Sequence, residues 1–173
     1  VDGSLTVPAG TVDLTGDLTV GGNVTTDVDL AIDQGNLSVD DMTINVGAQV
    51  DVATGRELVV TDATGLQNDG TLNVVGTLTG DAVNNADMDI AGTMTGDLEN
   101  DGTVDIGGTL DGALDNDGTA TVSGIVTGNV DNSNDLTLEA TGDLQGDLLN
   151  DGTVTANGGE IDGNVTNNAS FNL

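Results

Sequence analysis

The chain has 173 residues, of which 30 are acidic and one, Arg56, is basic, giving a formal charge of −29. It has one Phe and no Tyr, Trp, His, Cys or Lys, which excludes Cys/His zinc sites, disulfides, Schiff bases, P-loops and His- or Cys-based catalysis. The charge opposes binding to nucleic acid or anionic membranes, and no apolar run approaches the roughly 18 residues that span a bilayer. Few strong helix formers are present, whereas Gly, Thr and Val abound, so helices are not expected. High charge and few aromatics are marks of disorder, but 36 % of the residues are apolar and their spacing is regular.

In chain order, residues 1–67 read as about four irregular coils of a solenoid. The segment Val1-Asp-Gly-Ser-Leu-Thr-Val7 and the segment Gln34-Gly-Asn-Leu-Ser-Val39 both resemble the repeat start described next, with Leu5, Val7, Leu37 and Val39 inward. Between and after them, alternation runs through Val28, Leu30 and Ile32, then Met42, Ile44 and Val46, then Val50 and Val52. Residues 68–173 are a regular repeat. Units begin Asn-Asp-Gly-Thr or a close variant at Asn68, Asn84, Asn100, Asn116, Asn132, Asn150 and Asn167. The first four units have 16 residues each, and small insertions lengthen the next two.

Four apolar columns keep register through these units. One is Leu72, Met88, Val104, Ala120, Leu136, Val154 and Phe171; the next is Val74, Ile90, Ile106, Val122, Leu138, Ala156 and Leu173. The third runs from Leu78 to Ile161 and the fourth from Ala82 to Val165. Steps of two and four residues belong to extended chain and not to helix. A unit this short buries its apolar face only by closing into one turn of a stack. The expected fold is therefore all-β: one continuous parallel β-helix, right-handed, with about 16 residues per coil. Ten or eleven coils at about 4.8 Å would span roughly 50 Å. Two Gly columns, Gly80 to Gly163 and Gly76 to Gly124, are expected to supply positive φ at corners.

The Asn at each unit start stacks into a column, read as a structural ladder of side-chain amides. The next position carries Asp69, Asp101, Asp117 and Asp151, the candidate calcium ligands. The column is broken by Asn85, Ser133 and Asn168, and neither the repeat-toxin nonapeptide nor an EF-hand loop is present. At about 5 Å in water, like carboxylates repel by only about 1 kcal/mol, so a solvated acidic face is preferred over a metal site. No cofactor is expected. Paired carboxylates for polysaccharide cleavage are inevitable among so many acids and carry little weight without aromatic residues to stack on sugars.

Runs such as NDGTVDIGGTLDGALDNDGTATVSGIVTGNV and NVTNNASFNL resemble the passenger regions of bacterial autotransporter adhesins. That resemblance implies an extracellular, non-enzymatic stalk or fibre of a secreted surface protein, with a host or cell-surface receptor as partner. A weaker resemblance, carried by Gly-Thr-Leu-Thr-Gly-Asp (76–81) and its echoes, is to bactofilins, β-helices that polymerise end to end. The acidity and the Asn column favour the first. The alternatives are a self-assembling extracellular filament subunit or a phage fibre segment and, remotely, a polysaccharide-cleaving enzyme. A start at Val1 with no signal-like segment is read as an excised piece of something longer.

Overall fold

In the computed structural model, which describes residues 3–7 and 12–173, every strand is two to four residues long and every strand pairing is parallel. The strands fall into three sheets that run the length of the molecule. Sheet I has ten strands, from Leu5–Val7 through Leu66–Asn68 to Val165–Asn167. Sheet II also has ten, from Val12–Asp13 to Ser170–Asn172, and sheet III has nine, from Leu18–Val20 to Glu160–Ile161. One strand of each sheet in turn makes a coil, so the chain is an all-β parallel solenoid of about ten turns with about 17 residues per turn.

The apolar columns form because strand pairing joins residues one coil apart. Leu72 pairs with Met88, Met88 with Val104 and Val104 with Ala120 in sheet II. Leu78, Met94 and Leu110 do the same in sheet III, and Ala82, Leu98 and Leu114 in sheet I. These side chains are buried and join into one core that extends from Leu14 to Val154. Alternation places Thr, Asp and Asn outward between them, as in the buried and exposed pattern of Asp87–Ile90.

The first 67 residues depart from the expected register. They close three coils and begin a fourth, because their turns are longer: Leu66 pairs with Met42, and Leu72 with Val50. Leu5 and Leu37, expected at equivalent positions, lie in different sheets; Leu5 pairs with Val24 in sheet I and Leu37 with Leu18 in sheet III. The reason is that a Leu-x-Val strand fits all three sheets, so the motif does not say which wall of the coil it builds. Val1 and Asp2 lie outside the described residues.

Val46 is 85 % exposed and not inward. It sits with Gly47 (φ +85°) in a turn closed by the Ala48 N–H donating to the Asn45 carbonyl at 3.0 Å, and Ala48 takes the buried place. Val28 is half-buried at a similar corner. Leu173 is exposed, beyond the last strand.

The Gly columns also have a different cause from the one expected. Only Gly80 and Gly96 among them have positive φ. A Cβ on Gly112 would strike the carbonyl of Gly96, and one on Gly124 would strike that of Gly108. Glycine is required there because successive coils touch backbone to backbone at the corner.

Candidate functional site

The corner from sheet I into sheet II turns immediately after each Asn of the repeat. The strand end faces the Asn side chain inward, where Asn68, Asn84, Asn100, Asn116, Asn132 and Asn150 are fully buried. The Asn68 amide donates to Asn84 Oδ1 at 2.7 Å, Asn84 to Asn100 at 2.7 Å and Asn100 to Asn116 at 2.8 Å. The series continues from Asn116 to Asn132, Asn150 and Asn167. Each amide from Asn68 to Asn150 also donates to a main-chain carbonyl of the next coil, as Asn84 does to Thr103 at 2.9 Å. The buried polar atoms are thus satisfied along the axis, which is what their burial demands. The ladder begins at Asn68: in the earlier coils the same register holds Ile44, Thr26 and Val7.

Asp69, Asp101, Asp117 and Asp151 follow the ladder residues and turn outward. Asp69 Oδ1 accepts from Asn85 and Asp151 Oδ1 from Asn168, both at 2.7 Å, so two of the three residues that interrupt the Asp column hydrogen-bond to it. Among the described residues no group of three or more acidic side chains is arranged to hold a metal ion.

A shallow groove runs along the outer side of sheet I. Two depressions of about 360 and 300 Å³ share Ala113 and Asp115. Asp81 and Asp97 line the first, and Asp131 and Asp147 the second. Several of these carboxylates are already occupied as corner caps. Asp81 Oδ1 accepts the Asp97 N–H at 2.9 Å, Asp97 Oδ1 the Ala113 N–H at 2.8 Å and Asp147 Oδ1 the Asn164 N–H at 2.8 Å. The sequence reading did not single out these caps; their signal is the Gly-Asp step at Gly80-Asp81, Gly96-Asp97 and Gly146-Asp147.

Partial desolvation and then the neighbouring charges of Asp117, Asp131 and Asp101 raise the Asp115 carboxyl above its usual range. Asp105, on the outer side of sheet II, is raised by desolvation and by Asp89 and Glu139. Arg56 is half-buried, with its Nε lacking a hydrogen-bond partner among the described residues. The arrangement offers an acidic surface on which some carboxylates, such as Asp81, Asp97 and Asp147, are engaged in joining one coil to the next.

A family model described as bactofilin, polymer-forming cytoskeletal, matches residues 68–166. No curated protein and no solved structure matches the chain. The matched span opens on Asn68, the residue that starts the ladder, and covers the regular coils. The family description corrects two expectations. A cytoskeletal polymer works inside the cell, which overturns the extracellular and cell-surface placing. The autotransporter resemblance, with its adhesin role and host receptor, gives way to the weaker of the two resemblances. The match takes in more than half of the residues, and the chain belongs to the bactofilin family of polymer-forming cytoskeletal proteins.

Proposed function

We propose that the chain is the structural, non-enzymatic subunit of a cytoskeletal filament, joined to further copies of itself coil on coil along the solenoid axis. The observation that carries this reading is the unbroken parallel pairing of all three sheets. Coil joins coil by the same backbone hydrogen bonds and the same apolar columns throughout. A contact between molecules that repeats this pairing adds no new kind of interaction, and strand edges take up further strands readily. The coils are right-handed in this reading, as parallel crossovers within one sheet are in nearly all cases.

The filament needs no cofactor. Asp69, Asp101, Asp117 and Asp151 serve as a solvated outer face, and calcium in excess of the protein leaves the melting temperature unchanged. A calcium-dependent rise at submillimolar concentration would reverse that assignment.

Negative-stain electron microscopy and sedimentation of the purified chain test the main reading. Unbranched fibres one solenoid wide, lengthening with protein concentration, are expected. Monodisperse particles at every concentration and salt tested would refute the role of self-assembling subunit.

A further inference from the structure

The corner between Thr153–Ala156 and Glu160–Ile161 reads Asn157-Gly158-Gly159 and contains the only Asn-Gly step in the chain. We propose that Asn157 is a site of spontaneous covalent modification, deamidation through a cyclic imide, that adds a negative charge to the rod as the protein ages.

Three features of the corner combine. Asn157, Gly158 and Gly159 are all exposed, and the two glycines have φ of +124° and +80°, a corner with no side chain to block the following amide. The Gly158 N–H donates to no partner among the described residues. The Asp-Gly corners of the repeat differ on this point. There the N–H of Gly102 donates to the Asn84 carbonyl, that of Gly118 to the Asn100 carbonyl and that of Gly152 to the Asn132 carbonyl. The ladder residues from Asn68 to Asn150 differ in being buried, with their amides held by two or more acceptors. Asn157 alone joins an accessible amide carbon to an unengaged Gly nitrogen.

In the reaction, the Gly158 backbone nitrogen loses its proton to solvent and attacks Asn157 Cγ. A nitrogen–carbon bond forms, the bond to Nδ2 breaks, and ammonia leaves with a proton taken from solvent. Water then adds to either carbonyl of the five-membered imide, giving an aspartyl or an isoaspartyl linkage. No oxidant or reductant is required.

The consequence is local to the eighth and ninth coils. Asn157 Nδ2 now donates to Glu139 Oε1 at 3.3 Å; a carboxylate there sets like charges against each other. The isoaspartyl form lengthens the backbone at a corner already in contact with the preceding coil, because a Cβ on Gly158 would lie 3.0 Å from Ala140 Cα.

The test is peptide mapping of the full chain after incubation in warm, mildly alkaline buffer. Arg56 is the only tryptic site, so a Glu-specific protease is used. It releases one peptide, Ala140–Glu160, that carries both Asn157 and the ladder residue Asn150. The expected result is conversion of Asn157 to aspartyl and isoaspartyl forms, with Asn150 intact in the same peptide and the rate falling in mildly acidic buffer. An unmodified Asn157, or a different Asn converting first, would overturn the proposal.

Discussion

A buried primary amide carries two donors and an acceptor, and an apolar core has nothing to offer them. In this chain the answer lies one coil away: each ladder Asn is satisfied by the next. Asn100→Ala removes the acceptor of Asn84 and the donor to Asn116, leaving buried groups without axial partners. The expected loss is about 2–4 kcal/mol in denaturant unfolding. A loss near zero would mean that the ladder is bystander packing. The raised carboxyls of Asp105 and Asp115 give a pH dependence of definite sign. Each binds its proton at higher pH in the folded chain than in the unfolded one. The folded state thus takes up more protons as pH falls from neutral toward the ordinary carboxylate range, and stability rises over that range. Thermal melts at neutral and mildly acidic pH read this directly, and a lower melting temperature on acidification would contradict it.

At the scale of the element, strand and corner obey different rules. Each strand is a short inward–outward–inward triplet or quartet, so its sequence fixes which side chains are buried. The same brevity hides which sheet it joins, which is why Leu5 and Leu37 were expected at equivalent positions and stand in different walls. At the corners the alternation misleads: Val46 continues the pattern of Met42 and Ile44 into a turn that points it outward. Corners depend on backbone contact between coils, and glycine is where that contact is tightest. Gly112→Val drives a branched side chain into the carbonyl of Gly96, and is expected to open the stack between the fifth and sixth coils. Protease nicking near residues 96–112, with wild-type resistance elsewhere, checks it. Unchanged resistance would show that the corner relaxes at little cost.

On the scale of the whole molecule the dominant quantity is the charge of −29. Spread over ten coils it opposes every association of two copies, whether side by side or end to end. Assembly is therefore expected to increase with salt, since the screening length falls from about 10 Å at 0.1 M to about 3 Å at 1 M. Fibre length measured by electron microscopy across that range tests the point, and assembly that weakens as salt rises would overturn it, since it would mean contacts built on attraction between charges in a chain with one cation. For a polymer-forming chain, the same repulsion is expected to limit the bundling of filaments side by side.

The sequence by itself determined the solenoid, the four inward columns and the Asn column, because a repeat of 16 residues with apolar steps of two and four has no other way to bury its hydrophobic third. It did not determine the register of residues 1–67, the exposed place of Val46 or the reason for the glycines. Those depend on which backbone lies one coil above another, a distance set by corner lengths that vary from coil to coil. The capping role of Asp81, Asp97 and Asp147 was likewise decided by the stacking. A carboxylate that receives an amide from the next coil looks, along the chain, like any other acid on a solvated face.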